Sequence, residues 1–379
     1  MNGNGARNGA RNGNGAGGRS RGGSGSPVPA RPPSRRLPPG YVALFPGLGG
    51  RPPAPAPELP GLLAPAGQIM ETVDGFARRT GCCPPPSGLL TGAAPPRSPG
   101  RELQHELLLY GLSLTLHTLL AATAPPVALL GHSLGFLPAL VGAGAFGVED
   151  GCRLVLVRHR VLAEHPPPPG GMLHLDTGAD TAAALAASVP GTTVACVNSP
   201  VRTVLSGPAG ALAHAEERAR GLGLSPLRLP VRHAYHGPGL EPALTEMRRR
   251  CHGIRRRPLT TPLYSATTGT FHGDDEDLLD ALFASVARPV HFRDALRALA
   301  ARGATAFVEC GPTPMLTRMA EETVPRLPAL PALHPGRPPA ETLRSARDLA
   351  APVKEVSGTA PRAAGTRQEP PPGGLPAPG

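Results

Sequence analysis

With 379 residues, 40% of them hydrophobic, the chain is long enough for one large domain or two modest ones around a sizeable core. Glycine (49) and proline (51) together exceed a quarter of the residues, which excludes a uniformly ordered chain. The net charge of +11 is carried by arginine, with Lys354 the one lysine, and no apolar run approaches the length of a membrane span. The first forty residues have no apolar stretch of the kind a secretory leader needs, so a soluble, cytoplasmic protein is expected.

In chain order, residues 1–40 are Gly-, Arg- and Pro-rich and read as a disordered leader; it lacks aromatics for stacking on bases, so no nucleic-acid partner is expected. Tyr41–Phe45 reads as a short apolar strand ending in the turn Pro46-Gly47-Leu48-Gly49-Gly50. Gln68–Arg79 has helical spacing, and Glu102–Ala122 is a long apolar helix. Pro126–Leu130 is a buried strand by its continuous apolar run, and it enters Gly131-His132-Ser133-Leu134-Gly135 and a helix, Phe136–Phe146. Glu149–Glu164 reads as a further helix.

Between about 170 and 231 the texture changes to short alternating strands (Met172–Leu175, Thr193–Val197, Arg202–Leu205) and helices (Thr181–Ser188, Gly210–Gly221), which predicts a small inserted α+β subdomain. The chain then continues through helix Leu240–Cys251, strand Leu263–Ser265, helices Leu278–Val286 and Phe292–Arg302, and strand Thr305–Glu309. From Pro325 onward the composition is Pro-rich, and 326–379 reads as a disordered tail; the folded domain is expected over 41–325. The six cysteines form no CxxC pair and the adjacent Cys82-Cys83 is poor disulfide geometry, so reduced thiols and no metal site are expected.

Gly131-x-Ser133-x-Gly135 between a buried strand and an apolar helix matches the nucleophile-elbow pattern. A serine on so sharp a turn needs glycine neighbours for space, and the following helix points N–H groups at charge developing on an oxyanion. Among thirteen histidines, His236 in His233-Ala234-Tyr235-His236-Gly237-Pro238 is the best placed base, since it follows the inserted subdomain in a loop before a helix.

Seven segments, in order over about Tyr41 to Thr317, resemble malonyl-CoA:acyl carrier protein transacylases and polyketide synthase acyltransferase domains. Phe45-Pro46-Gly47-Leu48-Gly49 resembles their FPGQG opening and Gly131-His132-Ser133-Leu134-Gly135 is their GHSLG. Asn198-Ser199-Pro200 with Ser206-Gly207, His233-Ala234-Tyr235-His236, and Pro262-Leu263-Tyr264-Ser265 with Thr268-Gly269 follow. Arg288–Phe292 and Phe307–Pro312 match the closing segments. The resemblance implies an α/β fold: a large α/β-hydrolase-like subdomain with a central, mainly parallel sheet, plus a small inserted ferredoxin-like one. It implies a Ser133–His236 dyad, an oxyanion hole from the backbone amides of Leu48 and Leu134, and substrate contacts at Arg158, Tyr235, His132 and Asn198. It also implies a coenzyme A thioester as substrate with no tightly bound cofactor, and a phosphopantetheinylated acyl carrier protein as partner of a monomeric enzyme.

Val157-Arg158-His159-Arg160-Val161-Leu162 aligns with the family's R-G-x-x-M segment and places Arg158 where the family holds the free carboxylate of malonyl groups. A guanidinium grips a carboxylate through two parallel hydrogen bonds. The aromatic Tyr235 stands where malonyl-selective members carry a ring, so malonyl is expected over methylmalonyl. Departures are Leu48 for glutamine, Phe136 after GHSLG, His159 for glycine, Gly237 for serine and Ser285 for glutamine. Two alternatives stay open: an editing acyl-carrier-protein thioesterase using the same dyad, with water as the second acceptor, and a non-catalytic carrier-docking protein. An ordinary esterase leaves the FPG-type opening and Arg158 unexplained.

Overall fold

The structure, a computed structural model, describes residues 35–47, 55–82, 84–92 and 100–351. Nine strands are present among them: β1 (Tyr41–Phe45), β2 (Ala128–Gly131), β3 (Gly170–Leu175), β4 (Thr193–Ser199), β5 (Arg202–Pro208), β6 (Leu227–Arg228), β7 (Leu263–Tyr264), β8 (Ala306–Glu309) and β9 (Ala329–Pro331).

Five strands make one parallel sheet in the order β7-β2-β1-β8-β9. A parallel sheet is covered by helices on both faces, so its strands read as unbroken apolar runs. Tyr41-Val42-Ala43-Leu44-Phe45 at the centre obeys this, with every residue buried. From Leu107 onward, helix Arg101–Ala121 has no continuous polar face, as expected for a helix enclosed between layers. It packs against helices Gly67–Arg79, Phe136–Gly142 and Val148–Glu164. The register pairs Phe45 with Gly131, so the turns leaving β1 and β2 emerge side by side at the carboxyl edge of the sheet.

The second sheet, β4-β5-β3-β6, is antiparallel. With helices Ala179–Ala187 and Ala209–Gly221 its chain order is β-α-β-β-α-β, the ferredoxin-like arrangement. Strand periodicity divides its side chains. Leu173, Leu175 and Leu205 pack with Leu185 and Leu212 in a small core under the two helices, whereas Met172 and Val204 face the main core. The edge of β4 is held by the segment at Val290, whose N–H donates to Ala195 O at 2.9 Å and whose carbonyl accepts from Val197 N at 2.9 Å. The expected architecture, a parallel-sheet body with a small α+β insertion, is thus the one observed.

The limits of the folded part differ from the sequence reading. The domain does not stop at Pro325: β9 pairs with β8 through Phe307 and Ala329, and helix Pro339–Ala350 buries Leu343, Ala346 and Ala350 against the core. Proline masked this segment, although Pro339 stands in the first turn of the helix, where its missing N–H has no intrahelical partner to lose. Nor does order start at Tyr41, since Leu37 is buried and its N–H donates to Arg302 O at 2.8 Å. The expected leader up to residue 34 and the tail beyond 351 lie outside the described residues. Short helices at Leu59–Leu63 and Gly88–Thr91 occupy the Pro-rich stretch after β1. Cys152, Cys196, Cys251 and Cys310 are free, buried thiols, and no described helix is long and apolar enough to cross a membrane.

Candidate active site

Ser133 follows β2 on a single tight turn, Ser133–Gly135, which leads into helix Phe136–Gly142. Its φ is +54°, in the left-handed region that L residues avoid. The turn closes only because its neighbours lack side chains. A Cβ on Gly135 would lie 2.0 Å from Phe45 O, and one on Gly131 would lie 2.4 Å from Phe136 Cα. The turn is pinned to β1 by His132 N–H donating to Phe45 O at 2.9 Å. Ser133 stays partly exposed while the residues beneath it are buried.

His236, 103 positions later, brings Nε2 to 2.9 Å from Ser133 Oγ. Its backbone is also left-handed, at φ +59°. The tautomer follows from its partners. Nδ1 faces the carbonyls of Ser285 and Arg288, each at 3.0 Å, and carbonyls only accept, so Nδ1 carries the proton. Nε2 is therefore the bare acceptor of the Ser133 hydroxyl. Those carbonyls lie at the C-terminal end of helix Leu278–Ala287, where the helix dipole favours positive charge, so they stand in for the carboxylate of a three-membered triad. The His236 amide donates to Val286 O at 2.8 Å and fixes the loop to the same helix end. Burial, with His132 nearby, pushes the His236 imidazole down to about 4, so it is neutral and ready to accept a proton at neutral pH.

The cleft above Ser133 is lined by Leu134, Leu154, Arg158, Tyr235, His236 and Phe283, among others. Arg158 comes from helix Val148–Glu164, and its guanidinium lies over the Tyr235 ring, 5.1 Å from the centroid. Leu134, expected in the oxyanion hole, directly follows Ser133 and lines the cleft; Leu48 lies outside the described residues. A second, smaller opening also reaches Ser133, past Ser265, Thr267 and Ser285.

His132 and Asn198, expected at the substrate, are placed differently. His132, at the end of β2, has an extended backbone. It pairs through Nε2 with Asn198 Oδ1 at 2.8 Å and packs edge-on against Phe292, 5.1 Å between centroids. Both are buried, and neither lines the cleft. The pair instead ties β4 of the small sheet to the turn that carries Ser133.

Sequence reading missed Glu106, hidden in a helix taken as apolar. It is buried, with Oε1 3.1 Å from Arg158 Nη1 and 3.9 Å from His159 Nδ1. The departures at other positions find local roles. Phe136 stacks on His272, with ring centroids 5.1 Å apart, and Ser285 serves His236 through its carbonyl rather than its side chain.

Residues 107–352 match the family described as "Acyl transferase domain". The spectinabilin polyketide synthase system protein NorB of Streptomyces orinoci is 33% identical over 229 residues, 58% of this chain and 10% of NorB. The first curated relatives are far longer proteins, of which this chain spans about a tenth or less. The acyltransferase domain from the second module of the salinomycin polyketide synthase superposes with a TM-score of 0.69 at 30% identity, covering 81% of this chain and 72% of that domain. A malonyl-transacylase solved in complex with its type II polyketide synthase acyl-carrier protein shares the fold, with a TM-score of 0.73 at 20% identity over 82% of this chain and 99% of that one.

Proposed function

Because this chain belongs to the acyl transferase domain family, we propose that it moves a malonyl group from coenzyme A, through an ester on Ser133, to the phosphopantetheine thiol of an acyl carrier protein in polyketide or fatty-acid synthesis. The observation that carries this reading is the 2.9 Å contact between Ser133 Oγ and an unprotonated His236 Nε2, beneath a cleft that Arg158 also lines.

The chemistry proceeds in two mirrored halves. Ser133 Oγ attacks the thioester carbonyl carbon while its proton passes to His236 Nε2, and the carbonyl oxygen takes up negative charge beside the Leu134 amide. The C–S bond then breaks, and the sulfur leaves as a thiol carrying the proton from Nε2. The carrier thiol enters in turn, gives its proton to Nε2 and attacks the acyl-ester carbon. Ser133 Oγ departs and recovers the proton. During each half the imidazolium is stabilised by the Ser285 and Arg288 carbonyls. No metal or resident cofactor takes part in this scheme.

Arg158 supports a substrate with a free carboxylate, since burying an ionised carboxylate without a partner would cost several kcal/mol. Tyr235, itself buried, supports malonyl over a branched homologue; a single methyl in such a pocket discriminates by about 1–3 kcal/mol. The same-fold malonyl-transacylase solved in complex with its acyl-carrier protein supports the partner. Intact-mass measurement after incubation with malonyl-, methylmalonyl- and acetyl-CoA, then with a loaded-ready carrier protein, tests the proposal. A malonyl adduct absent from Ser133→Ala and passed to the carrier is expected. Release of free acid from acyl-carrier protein with no malonyl loading would instead establish editing hydrolysis.

A further inference from the structure

The Ser133–His236 chemistry has no need of a buried acid on the far side of Arg158, yet Glu106 is there. Its side chain and that of Arg158 are 11% and 10% exposed, and Oε1 stands 3.1 Å from Nη1. The contact is an ion pair without a well-directed hydrogen bond: Nη1 and Glu106 Oε2 are both buried without a hydrogen-bond partner. Burial alone would raise the Glu106 carboxyl, but Arg158 and His159 outweigh it and hold the carboxyl below its usual range. Arg158 lines the cleft and Glu106 stands behind it, so the cation facing the substrate is already balanced by an anion of the protein.

An acyl group with a free carboxylate must therefore share the guanidinium. Five N–H donors leave room for both carboxylates, but two like charges on one cation repel at short range. An acyl group with no second carboxylate meets no such competition. We propose that Glu106 is a specificity-determining residue, an internal carboxylate that shares Arg158 with the substrate and narrows the advantage of a malonyl over an acetyl thioester. This rests on the acyl-transfer reading above and deepens it.

The opposite role is also a defined one. If Glu106 served only to hold Arg158 in position, removing its charge would weaken malonyl use. The two roles predict opposite signs. The experiment is the kcat/KM for Ser133 acylation by malonyl-CoA and by acetyl-CoA, in the wild type and in Glu106→Gln, which keeps the shape and removes the charge. The malonyl-to-acetyl ratio is expected to rise about tenfold, with most of the change in malonyl, as fits loss of one nearby like charge. An unchanged or lower ratio overturns the inference. Should Glu106→Gln fail to fold, Glu106→Asp, which draws the carboxylate back from Arg158, is expected to raise the ratio about twofold, and a flat or reduced ratio there is equally decisive against it. Wild-type protein that loads neither thioester would overturn the acyl-transfer reading itself, a result distinct from loading with an insensitive ratio.

Discussion

Ser133 and His236 are the two non-glycine residues, among those described, whose backbone lies in the left-handed region, and their side chains meet at 2.9 Å. Strain of this kind costs of order 1–3 kcal/mol per residue and persists where the surroundings over-determine it. Ser133→Gly should therefore stabilise the fold by about 1 kcal/mol while abolishing acylation, and Ser133→Ala should abolish acylation with stability within about 0.5 kcal/mol of wild type. Denaturant unfolding beside adduct formation checks both. A glycine variant less stable than the alanine variant would contradict the assignment of strain to this residue.

The buried imidazoles set the acid limit. His236 and His117 are both pushed down to about 4 from 6.5, chiefly by burial. Between pH 6.5 and 4 the unfolded chain binds protons that the folded one does not, so stability falls as pH falls through that window, by of order 3 kcal/mol per histidine. Acylation, measured after a brief pH jump before unfolding sets in, should hold level from pH 8 to about 5 and decline near 4. A titration midpoint at 6.5 would show that the base is not desolvated as described.

Arg158→Ala should do more than weaken malonyl loading. It strands the Glu106 carboxylate in the interior, a defect that costs about 3–5 kcal/mol when a buried pair loses one member. The double variant Arg158→Met with Glu106→Gln should recover most of that stability and still prefer acetyl-CoA more than the wild type does. Thermal unfolding of the three proteins, with loading by each thioester, separates the fold from the chemistry.

Gly135→Ala should be among the most damaging small changes in the chain. The new methyl would fall 2.0 Å from Phe45 O, in backbone that cannot rotate away, and a loss above about 3 kcal/mol is expected. A soluble yield comparable with wild type would argue against the close approach of β1 and the Ser133 turn.

Removing residues 326 onward should leave an insoluble protein. It uncovers β8 as a sheet edge and exposes the surface under Leu333, Leu343 and Ala346. Soluble, folded protein from such a truncation, judged by circular dichroism and gel filtration, would contradict the packing of β9 and helix Pro339–Ala350.

The contrast between what could be read and what could not has a physical basis. Tyr41–Phe45 and the strand before Ser133 were legible because a buried parallel strand is apolar at every position, and the small subdomain because its strands and helices alternate. Ser133 and His236 were legible through turn chemistry and resemblance. The positive φ at His236 has no sequence signal, since the loop around it carries no glycine at that position. Glu106 escaped because one acid in a run of leucines changes no periodicity, and its meaning depends on a helix some fifty residues away. The spacing Leu343, Ala346, Ala350 did mark the final helix, but proline content outweighed it. His132 and Asn198 sit within the recognised motifs, yet only the pleat decides which side of the chain their side chains take.

The base at His236 hangs on carbonyls at Ser285, Val286 and Arg288, some fifty residues further along the chain. During synthesis the serine therefore leaves the ribosome well before anything can aim the imidazole at it. Until the stretch 285–288 has been added, the Ser133 hydroxyl has no imidazole held at its side, so the pairing of these two residues is completed only late in synthesis.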